Sequence, residues 1–281
     1  MHALMVFVFI AQAPAPDSPC RDLLLKAFPK IDADGSGTLS IDEIEKALAN
    51  PEVKGPTAAA ISALRRAVRS KTKPMPAPVT KGAIEKPDPD NAGSKMEGNH
   101  KLALRRIQET PRDLFTGKPP LLSDIHQGRV GDCFCLAPLG GWIHRDSDSV
   151  RALFRQKANK VEVHACGRWI PVEPLTDGEI AMLATSSGGG IWVNYYEKAM
   201  GIARRESEKT ASASPVAAIN RGGSAGNAMQ ALTGNETTRF SCAPFKQAGL
   251  RPDRAGMLLD ELRIRLAHNK ASRKLACAGT G

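Results

Sequence analysis

The chain has 281 residues, of which 42% are hydrophobic and 24% are charged, a composition typical of globular proteins rather than of fully disordered ones. The formal net charge is +10, but the Lys and Arg residues are scattered and no zinc-finger spacing accompanies them. We therefore expect no nucleic-acid partner, and binding to anionic polymers is the weaker alternative. No apolar run is long enough to cross a bilayer, so stable membrane insertion is not predicted.

Residues 1–16 are predicted to form a secretory signal peptide. An apolar stretch runs from Ala3 to Ala11, and Ala11-Gln12-Ala13 has the small-x-small form of a signal peptidase site. The alternative is a buried N-terminal strand or helix start, because no Lys or Arg precedes the apolar stretch. The expected location is secreted or periplasmic, and cytoplasmic if the segment is not a signal.

Three sections follow the N-terminal segment. Residues 17–71 are predicted to be helical, and residues 99–281 to form a second globular section. Between them, residues 72–98 are rich in Pro, Lys, Asp and Gly without hydrophobic periodicity, which is typical of a flexible linker. Six cysteines occur at irregular spacing, unlike the pattern of a small disulfide scaffold.

The first motif is the sequence DADGSGTLSIDE at residues 32–43, which has the spacing of an EF-hand calcium loop. Calcium takes about six to eight oxygen ligands at fixed places of such a loop, and a glycine at the sixth place makes the sharp turn. Gly37 holds that place. The alternative is an acidic turn between helices that binds no metal. The predicted Ca²⁺ ligands are Asp32, Asp34, Ser36, Thr38 through its backbone carbonyl, Ser40 directly or through water, and Glu43.

The flanking sequences favour a helix-loop-helix. Leu24, Phe28 and Ile31 form an apolar stripe before the loop, although Pro29 removes one backbone hydrogen bond from the entering helix. EF-hands usually pair, and the sequence offers no second loop with ligands. A helix predicted over residues 57–70 could cover the exposed groove instead.

The second motif is DIHQGRVGDCFCL at residues 124–136. A nucleophilic thiol is favoured at the positive end of a helix, with an imidazole to share its proton and donors for the oxyanion. Gly128 and Gly131 predict a tight turn, Asp132 a helix cap and Cys133 the helix start. Gln127 could then bring its amide to the oxyanion.

The rest of this section mixes helices and strands. A helix is predicted from Ser147 through Lys157, a hairpin turns at Cys166-Gly167, and a helical stripe follows the glycine-rich turn before Trp192. A last helix is predicted to start with Asp253 as its cap. Pro138 lies inside the helix that Cys133 would open, where a proline costs about 3 kcal/mol unless the helix kinks.

The sequence QGRVGDCF resembles the active-site signature of calpains. Residues 191–201 (IWVNYYEKAMG) and 222–234 (GGSAGNAMQALTG) are similar to two later helices of that family, in the same order. The resemblance implies an α+β fold in which an EF-hand precedes the mainly helical first subdomain of a papain-like core. It also implies a cysteine endopeptidase acting on proteins or peptides, with Cys133 as nucleophile and Gln127 as oxyanion-hole residue.

Calpains supply a base from a histidine followed by Ala-Tyr, and an asparagine that orients it, and neither motif occurs here. The catalytic core at residues 99–281 is therefore expected to be incomplete, and a second chain is one source of the missing subdomain. His268 is a weak substitute, since it ends the last predicted helix. Because triad members act as a unit, little activity is expected from this chain alone. The alternative is a non-catalytic calcium-binding pseudoprotease or peptide-binding protein.

Overall fold

The fold is α+β, with many helices and two small antiparallel sheets. The computed structural model describes residues 19–157, 160–208, 212–238 and 252–271. The predicted signal peptide, Cys242 and Cys277 lie outside these residues. The helices up to the second motif are α1 (Pro19–Ile31), α2 (Ile41–Leu48), α3 (Gly55–Val68), α4 (Lys81–Glu85) and α5 (Met96–Glu109).

The later helices are α6 (Cys133–Arg145), α7 (Ser147–Arg151), α8 (Asp177–Met182), α9 (Trp192–Glu208), α10 (Pro215–Ile219), α11 (Ala225–Thr233) and α12 (Pro252–Ala271). The strands are β1 (Thr38–Leu39), β2 (Val79–Thr80), β3 (Phe154–Lys157), β4 (Lys160–Ala165) and β5 (Arg168–Val172). Short 3₁₀ turns span Ala92–Lys95 and Leu122–Asp124.

Helices α1 and α2 flank the predicted calcium loop, as the apolar spacing predicts. The α1 stripe of Leu24, Phe28 and Ile31 is buried. Pro29 lies in the last turn of α1, where the helix ends soon after the missing hydrogen bond. Helix α3 covers this pair from Gly55 onward and buries most of its residues.

The structure differs from the flexible linker predicted over residues 72–98. This segment contains β2, α4 and a 3₁₀ turn, and its Met75, Val79 and Ile84 are buried in the core. These three apolar residues are isolated among prolines and charged residues and do not follow the spacing of a helix or a strand. Their burial therefore cannot be predicted from hydrophobic periodicity. Strand β2 pairs antiparallel with β1, Leu39 opposite Val79.

The three-stranded sheet contains the predicted hairpin and one strand that the sequence did not reveal. Strands β4 and β5 pair as expected, with Val163 opposite Ile170. The helix predicted from Ser147 ends instead at Arg151, and its cap is Asp146, whose side chain accepts from the Ser149 N–H. Strand β3 follows because Phe154 pairs with Val163 and lies against the core, where tertiary packing decides the conformation.

A single buried cluster joins the two sections that the sequence separates. It includes residues of α1 to α4 together with residues of α6, α9 and the three-stranded sheet. Polar contacts also cross between the sections. The Thr176 hydroxyl donates to the Leu48 carbonyl at 2.6 Å, and the Gly55 N–H donates to Asp177 Oδ2 at 2.7 Å. The end of α2 therefore rests on the start of α8.

Helix α12 starts at Pro252, one residue before the predicted cap Asp253. Met257, Ile264 and Leu266 are exposed on it. None of the helices in the described ranges combines the length and the apolar character needed to cross a bilayer.

Candidate functional site

The loop between α1 and α2 brings the three predicted carboxylate ligands together. Asp32, Asp34 and Glu43 place one oxygen each within 4.8 Å of one another. Gly37 adopts φ +77°, the left-handed conformation that glycine takes without strain, and its N–H donates to Asp32 Oδ2 at 2.9 Å. The turn folds the loop back so that its acidic side chains face one centre. Such a cluster could hold a cation.

The remaining predicted ligands belong to the same loop but differ in their hydrogen bonds. The Ser36 hydroxyl lies 3.1 Å from the Thr38 carbonyl oxygen and 3.4 Å from Asp32 Oδ1. Ser40 is the N-cap of α2: its hydroxyl accepts from the Glu43 N–H, and Glu43 accepts from the Ser40 N–H. This capping box fixes Glu43 at the end of the loop. Because its hydroxyl is used there, Ser40 is better suited to a water-mediated contact than to a direct one.

Hydrogen bonds keep the loop carboxylates ionised. Bonds from Ser36 lower the pKa of Asp34, and the Ser40 N–H is the main cause that lowers the pKa of Glu43. Both shifts favour the charged form, because an N–H or O–H donor stabilises a carboxylate more than a carboxylic acid. The centre therefore carries negative charge at neutral pH.

Strand β2 gives the loop a partner that the sequence reading missed. Leu39 is the eighth residue of the loop 32–43, and its partner Val79 is the eighth residue of the segment 72–83. In both segments the side chain of the ninth residue, Ser40 or Thr80, caps the helix that follows. The segment 72–83 contains no Asp or Glu, so the pairing is structural and adds no carboxylate ligand.

The predicted nucleophile stands at the start of a helix. Cys133 is the first residue of α6, is exposed and is not in a disulfide. Helix α6 continues through the buried Pro138 to Arg145. The positive end of α6 thus faces a solvent-accessible sulfur, an arrangement that suits a reactive thiol.

Gln127 lies in the same loop, but its amide is directed at the loop itself. Its Nε2 donates to the Val130 carbonyl at 2.9 Å and to Asp132 Oδ1 at 3.2 Å. Gly128 is required here, because a Cβ at this residue would lie 2.1 Å from the Met182 carbonyl oxygen. The glycine turn of the motif is therefore explained by close backbone approach. To serve an oxyanion, Gln127 must release one of its two acceptors.

Asp132 does not cap α6 with its side chain, in contrast to the prediction. Its backbone carbonyl accepts from the Cys135 N–H at 2.8 Å, while its buried carboxyl faces Gln127 and Glu197 of α9. Glu197 is also buried and accepts the Ala184 N–H at 2.8 Å. Burial raises the pKa of both carboxyls, that of Glu197 more strongly, with the Asp132 charge as the next cause.

Two buried carboxyls in contact cannot both ionise cheaply, so the pair keeps one proton. The stronger rise of the Glu197 pKa favours Glu197 as the protonated member of the pair. Asp132 Oδ2 is buried and has no hydrogen-bond partner among the described groups. The sequence reading noted Glu197 only as part of a family helix. The sequence does not show whether a single Glu is buried. The proximity of Asp132 to Glu197 depends on tertiary packing.

No histidine bonds to the predicted nucleophile in the described ranges. Cys133 makes no hydrogen bond with a histidine there, and the weak candidate His268 is exposed on α12. Cys20 and Cys135 are buried, and burial raises the pKa of the Cys20 thiol to about 12 and that of Cys135 as well. Cys166 is exposed at the hairpin turn. The buried Cys20 and Cys135 are therefore poorly suited to act as nucleophiles.

The loop 32–43 and Cys133 thus form two separate candidate centres, one for a cation and one for a nucleophile. Comparisons of the chain with protein-family models, with curated proteins and with solved structures find no match.

Proposed function

We propose that this chain binds Ca²⁺ through an EF-hand formed by α1, the loop 32–43 and α2. The observation that carries the proposal is the convergence of Asp32, Asp34 and Glu43 within 4.8 Å at the spacing that calcium loops use. Ser36 and the Thr38 carbonyl add neutral oxygens at the same centre. Two serines among the ligand places lower the negative charge of the loop, so a modest affinity is expected.

Titration calorimetry with CaCl₂ tests this proposal, with Glu43→Gln as the variant. Gln keeps the capping box and removes one bidentate carboxylate. Even changes outside the ligand shell cost about 10- to 100-fold in metal affinity, so losing a ligand should weaken binding at least that much. Asp42→Asn is the matched control, since Asp42 is an exposed acid beside Glu43. No Ca²⁺ binding by the unaltered chain, or equal losses in both variants, would contradict the proposal.

We further propose that the chain is calpain-like and that Cys133 is the nucleophile of a cysteine endopeptidase. The supporting observation is an exposed sulfur on the first residue of α6, in one loop with Gln127. The Cys133 sulfur would attack a peptide carbonyl carbon to form an acyl-enzyme. The Cys133 N–H and a released Gln127 amide would hold the oxyanion. A base would carry the thiol proton to the leaving amine, and a second chain could supply that base.

The competing function is a non-catalytic calcium-binding or peptide-binding protein of the same family. Two observations favour it: the Gln127 amide is engaged within its own loop, and no histidine in the described ranges bonds to Cys133. The same exposed loop would then hold a peptide without cleaving it.

Alkylation by iodoacetamide, followed by mass spectrometry of each cysteine, separates the two functions. Cys166 is the internal control, because it is also exposed and burial raises its pKa. A working nucleophile predicts that Cys133 reacts much faster than Cys166 and stays reactive at acidic pH, where ordinary thiols are protonated. Parallel pH profiles for the two cysteines would instead support the non-catalytic protein. The Cys133→Ser variant lacks the thiol, so the modified peptide that contains residue 133 should be absent from its digest.

A further inference from the structure

Three arginines converge on one pocket between the calcium-loop half and the nucleophile loop. Arg66 comes from α3, Arg106 from α5 and Arg129 from the loop that carries Gln127. The pocket is small, with a volume of about 20 Å³, is partly open to solvent and is also lined by Asn99. It lies away from the acidic loop and holds no residue assigned above to metal binding or to nucleophilic attack.

The three cations lack a salt-bridge partner in the described part of the chain, although Glu197 lies near Arg106. Within the described residues none of them forms an ion pair, whereas their sequence neighbours Arg65 and Arg105 pair with Glu45 and Glu109. Burial lowers the pKa of Arg66 and Arg106. The Glu197 charge partly offsets this shift for Arg106, and the Arg129 charge lowers both pKa values further. Cations that are partly desolvated and face each other repel. Such an arrangement is unfavourable in the absence of a bound anion.

The backbone around the pocket holds the arginines in place. Arg106 donates to the Leu183 carbonyl at 2.5 Å, and the Arg129 N–H donates to the Met182 carbonyl at 2.6 Å. Each guanidinium has five N–H donors in a planar fork, so free donors remain after these bonds. Forks of this kind match the oxygens of a phosphate group, to which they donate in pairs. The Asn99 amide supplies a neutral donor on the same wall.

We propose that Arg66, Arg106 and Arg129 form a binding site for a phosphate-type oxyanion. A bound phosphate group neutralises the repulsion and bridges α3 to the loop that precedes Cys133. The binding is independent of calcium and of any activity of Cys133.

Thermal unfolding with increasing inorganic phosphate tests the site, in calcium-free buffer and with chloride at matched ionic strength. Phosphate should raise the melting temperature of the unaltered chain beyond the chloride effect. Arg66→Gln and Arg129→Gln should each raise the apparent Kd for phosphate about tenfold or more, the effect of losing one charge-assisted bond. Arg105→Gln is the matched control, because it removes an exposed charge from the same helix as Arg106 and should leave the Kd unchanged.

A second arm identifies the source of the anion. O-phosphoserine that binds more tightly than inorganic phosphate indicates a phosphorylated peptide, and the reverse order indicates the free anion. Circular dichroism confirms that each variant is folded, and Arg129→Gln is expected to fold because its side chain is exposed. Equal responses to phosphate and chloride would overturn the proposal. So would the same phosphate Kd in the Arg66, Arg129 and Arg105 variants.

Discussion

At the scale of single residues, the buried carboxyls of Asp132 and Glu197 face each other. Asp132 directly precedes Cys133, and its buried carboxyl joins the Gln127 loop to α9. The pair has no cation within bonding distance in the described residues, and Arg106 lowers the Glu197 pKa only as a minor cause. Without the Glu197 proton, two negative charges would face each other out of water. The loop that precedes Cys133 is therefore attached to α9 through a carboxyl pair that shares a proton.

Glu197→Gln is predicted to flatten the pH dependence of stability. The folded state raises the Glu197 pKa from its ordinary value of 4.5, so the folded state holds a proton that the unfolded chain releases. Stability contributed by this group is complete below about pH 4.5 and falls as pH rises, by about 1.4 kcal/mol per pH unit, until the raised pKa is passed. Gln donates to Asp132 at every pH and removes this fall.

Urea unfolding between pH 5 and pH 8 measures the effect. Glu206→Gln is the control, because Glu206 is an exposed acid on the same helix, paired with Arg168. A variant at 197 with the same pH slope as the unaltered chain would show that the two carboxyls do not share a proton.

At the scale of elements, α2 and α3 are joined by a buried ion pair. Arg65 Nε lies 2.8 Å from Glu45 Oε1, and both side chains are at most 2% exposed. Burial lowers the pKa of Arg65, while the Glu45 charge raises it. Neither residue was singled out from the sequence, because Glu45 and Arg65 resemble ordinary solvent-exposed helix positions. Helix α3 is thus attached to α2 by charge as well as by apolar packing.

Glu45→Leu is predicted to destabilise the fold by about 3–5 kcal/mol, because it leaves the Arg65 charge buried without its partner. The double variant Glu45→Leu with Arg65→Met should recover most of that loss, since replacing both charges by apolar groups is often neutral. Urea unfolding measures both, with Glu52→Gln as an exposed control. A double variant no more stable than the single one would argue against an ionic attachment.

Sequence patterns predicted the elements whose residues repeat regularly. The stripe of α1, the hairpin of β4 and β5, and α9 follow helical or alternating periods, and those periods depend only on local geometry. They missed β3 and the packed segment 72–98, where one or a few apolar residues are fixed by distant partners. For the candidate centres, spacing indicated the loop 32–43 and the Cys133 turn. The Gln127 acceptors and the Asp132–Glu197 contact depend on tertiary packing.

At the scale of the whole molecule, the two halves share one core and a direct backbone contact. The Leu48 carbonyl at the end of α2 accepts from Thr176, and Gly178 of α8 packs against the same residue. Behind this contact, Glu179 pairs with the buried Lys198 of α9 at 2.8 Å, next to Glu197. The loop 32–43 and helix α6 are therefore connected through packed elements.

Gly178→Ala is predicted to destabilise the chain by about 1–3 kcal/mol, the usual range for overpacking. A Cβ at Gly178 would lie 2.5 Å from the Leu48 carbonyl oxygen. Gly98→Ala is the matched control, because Gly98 lies within α5 and no atom lies within 4 Å of the added Cβ. This variant should increase the free energy of unfolding by about 0.5–1 kcal/mol. Calorimetry should show one transition for both variants, and separate transitions for the two halves would contradict a shared core.

The pairing of β1 with β2 also determines how the chain would respond to Ca²⁺. The segment 72–83 occupies the place of a second loop but offers no Asp or Glu. Under the proposed calcium binding, the loop 32–43 takes up one ion without a paired loop, and its saturation follows a simple hyperbola with a Hill coefficient of about 1. Such a protein reports calcium gradually over a wide concentration range, whereas cooperative binding at two loops would give a sharp threshold.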